Sequence, residues 1–221
     1  MNQQQRTTAT AEKPPAAGLG TTLLRVAWLA ILLGFIMEAL LLLFAAGFGI
    51  FPGLKPVAAD LLRQVSWSTI VCVGLALGSA VTHLRSQLMG ILGLLAAPLA
   101  FTISRGLHQG AVKTLEIVGS GIEAPPVLIV AILKGIEYAC LGVALGWIGG
   151  RAWGGAVAHM ATGLLVGLVF GGTILALSYQ MSPEPLATAD LVSRAVNEIL
   201  FPLGCSLVLF AATALGKRVE S

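Results

Sequence analysis

Three ionisable side chains interrupt long apolar stretches of the sequence: Glu38, Lys134 and Glu137. A charge near the centre of a bilayer costs about 2.5–3.5 kcal/mol on insertion scales, so these groups must face protein or water and find partners. Lys134 and Glu137 are three positions apart, which places them on one helix face. If Glu38 faces the same interior, two carboxylates share one ammonium, and a proton or a bound cation offsets the surplus charge. The pattern predicts a midplane site for a small ion or solute.

A structural role for the same side chains is an equally good hypothesis. A pair between Lys134 and Glu137 can hold two helices in register, with Glu38 protonated and hydrogen-bonded. Three cysteines, Cys72, Cys140 and Cys205, also lie inside apolar stretches, but no Cys-x-x-Cys motif accompanies them. We therefore expect free thiols, and neither a metal nor another cofactor.

The composition identifies the class of protein. Of 221 residues, 57% are hydrophobic and only 10% are charged, whereas soluble globular domains contain about 25% charged residues. The mean hydropathy of +0.91 and the 27 glycines are typical of helices packed in a bilayer. The net charge of +3 is scattered, with no basic run that would bind nucleic acid. These values exclude a soluble protein, a disordered chain and a disulfide scaffold.

Six stretches are long enough to cross a bilayer, which takes roughly 20 mainly apolar residues. They cover residues 23–50, 66–83, 86–104, 125–150, 155–179 and 197–216. We expect an all-α polytopic membrane protein with one transmembrane domain over 23–216, a disordered cytoplasmic tail over 1–22 and a short cytoplasmic tail over 217–221. Seven Lys and Arg residues flank the spans on the side of the termini and five on the other. This bias favours cytoplasmic termini, in what we expect to be a bacterial plasma membrane.

The connections after the first, third and fifth spans share a pattern. Residues 57–65, 107–115 and 191–199 each place apolar residues at i, i+4, i+5 and i+8, with charged residues between them. We expect three short amphipathic helices lying flat in the membrane interface. With the similar strings CVGLALG at 72–78 and CLGVALG at 140–146, this suggests three repeats of span, surface helix, span. The layout is similar to that of the mitochondrial carriers, although their repeated Pro, acid and base signature is absent.

Glycines at four-residue spacing predict close helix contacts in the second, fourth and fifth spans. They are Gly74 and Gly78; Gly142, Gly146 and Gly150; and Gly163, Gly167 and Gly171. The sequence does not decide whether these contacts lie within the chain, in a homo-oligomer or against another membrane protein. Trp67, Trp147 and Trp153 are expected in the aromatic belt at the membrane interface.

Two functional hypotheses follow from these features. The sequence has none of the HExxH, GxSxG, Walker or dinucleotide-binding motifs, so we do not expect an enzyme. The leading hypothesis is a small transporter or channel for a small cation or proton-coupled solute, with Glu38, Lys134 and Glu137 at its site. The alternative is a non-catalytic subunit or assembly factor of a membrane complex, which contacts its partner through the glycine faces.

Overall fold

The chain forms an up-and-down bundle of six long helices. The computed structural model describes residues 17–80, 83–117, 127–182 and 186–219. The helices are α1 (Ala17–Gly47), α2 (Leu54–Gly78), α3 (Arg85–Thr114), α4 (Val127–Ile148), α5 (Ala156–Gln180) and α6 (Thr188–Val219). Each of the six is long and apolar enough to span a membrane. The predicted all-α fold with six membrane spans is thus confirmed.

The helices extend beyond several of the predicted boundaries. Because α1 begins at Ala17, the last part of the predicted N-terminal tail is helical, and the rest of that tail, residues 1–16, lies outside the described residues. At the other end α6 continues to Val219. Pro98 and Pro202 lie inside α3 and α6 without ending either helix.

The three predicted surface helices do not exist as separate elements. Their residues form the first part of α2, the last part of α3 and the first part of α6. Part of the apolar side of the first two patterns faces outward, as the 42% exposure of both Leu62 and Leu107 shows, while polar residues such as Asp60 and His108 line an internal cavity. The prediction was wrong because an amphipathic pattern does not specify whether its polar side faces bulk water or a water-accessible interior.

Sequence neighbours pack against each other around the bundle, and α6 closes it against α1. Buried residues make up 44%, 39% and 44% of the most apolar parts of α2, α4 and α6, but only 28%, 28% and 22% of α1, α3 and α5. The even-numbered helices are therefore the inner ones. Two ends of the bundle are distinguished below: the vestibule face, where residues 48–53 connect α1 to α2, and the terminal face, where α1 begins and α6 ends.

The glycine motifs mediate close helix contacts inside the chain. A Cβ added at Gly78 or Gly142 would meet the backbone of α3 at Met89, and one added at Gly163 or Gly167 would meet the backbone of α6. Such backbone contacts need residues without a side chain. The predicted close packing is confirmed, and these four glycines face helices of the same chain.

Towards the terminal face, the inner helices enclose an apolar core. Leu75 on α2, Leu141 and Leu145 on α4 and Val208 on α6 belong to one buried cluster. The sulfur atoms of Cys72 and Cys205 lie 3.3 Å apart within it, whereas Cys140 is exposed. In the described residues this half of the bundle is closed by apolar side chains.

Candidate functional site

A cavity of about 750 Å³ lies between α3 and the inner helices on the side of the vestibule face. Its walls come from the first half of α2, the second half of α3 and the start of α6, and its deepest charged residue is Lys134 on α4. The outer wall contains the exposed residues Gln109 and Lys113. The cavity therefore connects the vestibule face with a charged group buried in the bundle.

Lys134 holds two carboxylates at the inner end of the cavity. Its Nζ donates a hydrogen bond to Oε2 of Glu137 over 2.8 Å and forms a second ion pair with Glu198. Lys134 is 5% exposed and Glu137 is fully buried. Glu137 belongs to the same helix as Lys134, but Glu198 belongs to α6. The lysine therefore ties two inner helices together through opposite charges, an arrangement called the ion triad below.

Aromatic rings surround the ammonium group of the ion triad. The Nζ of Lys134 lies 5.7 Å from the ring centroid of Trp67 and 5.9 Å from that of Tyr138, within the range of cation–π attraction. Trp67 meets Tyr138, Phe101 and Phe201 edge to face. The prediction that Trp67 lies in the interfacial belt was wrong: it is buried beside the cavity, because α2 begins well before the predicted span. Its ring helps to stabilise a buried cation.

The structure brings together two of the three predicted site residues. Lys134 and Glu137 are paired, as their spacing predicted. Glu38 is also buried, at 5% exposure, but it does not line the cavity and forms no ion pair in the described part of the chain. The charged groups that act on it are Asp60 and Arg63. Glu38 therefore lies outside the ion triad.

Glu198 is the site residue that the sequence analysis missed. The last span was predicted to start at residue 197, which left Glu198 at its edge. Since α6 begins at Thr188, Glu198 instead lies about three turns inside the helix. A Cβ added at Gly171, in the π-helical turn Gly167–Gly171 of α5, would meet the backbone and Cβ of Glu198. Turns of this kind are frequent at functional sites. The sequence signal that could have identified Glu198 is that it is an acidic residue on an otherwise apolar helical face.

Polar contacts also link the helices around the outer part of the cavity. Asp60 on α2 accepts a hydrogen bond from Arg63 over 3.0 Å, and its Oδ1 lies 3.3 Å from Nε2 of His108 on α3. Gln64 on α2 donates a 2.9 Å hydrogen bond to Asn197 on α6. These contacts connect α2, α3 and α6, so a ligand bound here would contact or displace groups that link all three helices.

Fold and site together define an integral membrane protein with a polar cavity that penetrates the bundle from one face and ends at a buried ion triad. Comparison with known protein families, curated proteins and solved structures finds no match.

Proposed function

We propose that this protein is a proton-coupled transporter of a small solute, with Lys134, Glu137 and Glu198 as its coupling site. The observation that carries the proposal is the cavity, which leads from the vestibule face to the ion triad. Beyond the triad, the apolar core closes the path towards the terminal face. A cavity open to one side and closed to the other is what a transporter presents in one of its alternating states. An open channel would need a continuous polar path.

The ion triad supplies a coupling mechanism. Two carboxylates compete for one ammonium, so a proton can be taken up on one of them without leaving Lys134 unpaired. A proton that moves from cavity water to Glu198 removes the attraction between α4 and α6, while Glu137 keeps its hydrogen bond to Lys134. The two inner helices can then separate, and the apolar core can open towards the terminal face. Loss of the proton on that side restores the pair.

The distribution of Lys and Arg residues around the spans supports one orientation of the protein in the membrane. Because more Lys and Arg residues flank the side of the termini, we place the terminal face in the cytoplasm and the vestibule face outside, in a bacterial plasma membrane. The alternative, a non-catalytic subunit that binds its partner through glycine faces, gains no support from Gly78, Gly142, Gly163 and Gly167, which face helices of the chain itself.

Transport in reconstituted vesicles tests the proposal. Vesicles under an imposed pH gradient are given a mixture of Na⁺, K⁺, benzenesulfonate, glycine and glucose, and their contents are measured. We expect one probe to accumulate above protein-free vesicles, and Glu198→Gln to abolish that accumulation. Asp190→Asn is the matched control, since Asp190 is an exposed acid of the same helix outside the cavity. Failure of every probe to accumulate, or wild-type accumulation by Glu198→Gln, contradicts the proposal.

A further inference from the structure

The charged groups of the cavity wall do not balance. Four cations line the cavity against two carboxylates, namely Arg63, Arg105, Lys113 and Lys134 against Asp60 and Glu198. Both carboxylates are already engaged, Asp60 with Arg63 and Glu198 with Lys134. Among the described residues, Arg105 and Lys113 have no ion pair. Arg105 and Lys113 thus have no ion-pair partner in the described chain, and the surplus is one positive charge once Glu137, the second carboxylate on Lys134, is counted.

Arg63 adds an unused donor to this surface. One of its terminal nitrogens, Nη2, binds Asp60, but its Nε is buried and has no hydrogen-bond partner in the described residues. A buried donor without a partner is costly. A guanidinium offers several N–H groups in a fixed plane, a geometry that matches carboxylate and similar oxyanions. An anion in the cavity would supply acceptors to Arg63 and charge to Arg105 and Lys113.

The deeper part of the cavity has a different character. Along α3, the lining residue nearest the middle of the bundle is Phe101, followed outward by Arg105 and Lys113. Trp67 and Phe201 lie beside Phe101, with Trp67 packed edge to face on both rings. The lining therefore changes from cationic near the vestibule face to aromatic next to the ion triad. The volume of about 750 Å³ lies within the range of small-molecule sites, roughly 300–1,000 Å³.

We propose that the solute is a small organic anion with an apolar body, an inference that rests on the transport function proposed above. Its anionic group binds Arg105 and Lys113, and its apolar body lies on the rings of Trp67, Phe101 and Phe201. The anion and the proton taken up by the ion triad carry opposite charges, so the pair that crosses the membrane together is electrically neutral. Low net charge favours passage through a low-dielectric interior.

Binding to the purified full-length protein in detergent tests this assignment. The probe is benzenesulfonate, which stays anionic at all working pH values and carries a ring. Its binding is followed by calorimetry and by tryptophan fluorescence in a variant in which Trp28, Trp147 and Trp153 are replaced by Phe, so that the signal reports on Trp67. We expect saturable binding of benzenesulfonate, and none of benzylammonium, benzyl alcohol or inorganic phosphate at the same concentrations. Tighter binding of benzylammonium, or binding of phosphate alone, overturns the proposal.

A pair of variants locates the binding site. Arg105→Gln combined with Lys113→Gln should weaken benzenesulfonate binding at least tenfold, which is about 1.4 kcal/mol of binding free energy, since both charge-assisted contacts are lost. Arg194→Gln is the matched control, because Arg194 is a cation of the same end of the bundle that does not line the cavity. Unchanged binding by the double variant overturns the assignment.

The experiments distinguish a failure of the proposed ligand class from a failure of the proposed transport function. If benzenesulfonate binds at this site but no probe accumulates in vesicles, the ligand class stands and the transport function fails. If another probe accumulates in a Glu198-dependent manner while benzenesulfonate does not bind, the transport function stands and the organic anion is refuted.

Discussion

The thiol of Cys72 on α2 donates a hydrogen bond to the sulfur of Cys205 on α6, 3.3 Å away. The two residues are 133 positions apart, and so are Gln64 and Asn197, which are hydrogen-bonded about two turns nearer the vestibule face. The two inner helices therefore run parallel and in register, in contact both at the cavity wall and in the apolar core. Opening the apolar core towards the terminal face requires the contact between Cys72 and Cys205 to break.

Oxidation of the two core thiols should lock the transporter. Copper phenanthroline with oxygen removes two electrons and two protons from Cys72 and Cys205 and forms a disulfide, which fixes the two sulfurs about 2.05 Å apart. Because the disulfide ties α2 to α6 across the apolar core, which opens in the proposed cycle, we expect solute accumulation to be lost and dithiothreitol to restore it. Flux in vesicles and the count of free thiols are measured on the same sample.

Single substitutions make this result interpretable. Cys72→Ser should make transport insensitive to the oxidant, whereas Cys140→Ser should leave the sensitivity intact, since Cys140 is exposed and not part of the pair. Full transport by a sample whose Cys72 and Cys205 are verified as disulfide-linked would contradict the proposed opening of the apolar core.

Lys134 should be indispensable for stability as long as both carboxylates remain. Lys134→Met leaves Glu137 and Glu198 near each other without a counterion, and breaking a buried ion pair in this way costs about 3–5 kcal/mol. We expect a large fall in the thermal unfolding temperature in detergent. Replacing all three residues, Lys134→Met with Glu137→Gln and Glu198→Gln, should restore most of the stability because no unpaired charge remains.

The neutral triple variant separates the two roles that the sequence allowed for the buried charges. If the ion triad is the coupling site, the variant is stable but transports nothing. If the charges only hold α4 and α6 in register, the stable variant transports as the wild type does. Transport by this variant would therefore show that the ion triad is not the coupling site.

The sequence predicted the spans and two of the three residues of the ion triad because both depend on local spacing. Hydropathy over about 20 residues marks a span, and a separation of three residues brings Lys134 and Glu137 together. Glu198 and the cavity were not predictable in this way. They depend on how each helix is rotated about its axis, and the pattern at 191–199 is compatible with a polar side at the membrane surface or in the interior. Glu38 has a similar predicted depth, but α1 packs mainly against α2 and α6 rather than against α4, which carries Lys134.

Glycines that meet a neighbouring backbone should tolerate no side chain. A Cβ at Gly142 would lie against the backbone carbonyl of Met89, so Gly142→Ala forces α3 and α4 apart, and we expect a loss of about 1–3 kcal/mol in unfolding free energy. Gly106 on α3, where an added Cβ would meet no other atom of the described chain, is the control. Gly106→Ala should be neutral or stabilising, by up to about 1 kcal/mol, because alanine favours the helix. Thermal unfolding of the two variants side by side measures the difference, and equal unfolding temperatures would contradict the close contact.

Glu38 and Glu198 provide the sharpest contrast for the coupling mechanism, since both are buried acids of the bundle and only Glu198 lines the cavity and contacts Lys134. Glu38→Gln keeps the shape and hydrogen-bonding capacity of the side chain and leaves the ion triad intact. We therefore expect Glu38→Gln to retain solute accumulation at a level close to that of the wild type, while Glu198→Gln loses it. Accumulation and the accompanying proton movement, followed with a pH dye inside the vesicles, are measured for both. If Glu38→Gln abolishes transport in a protein that remains folded, the proton path runs along α1 past Asp60 and Arg63, and coupling by the ion triad alone is refuted.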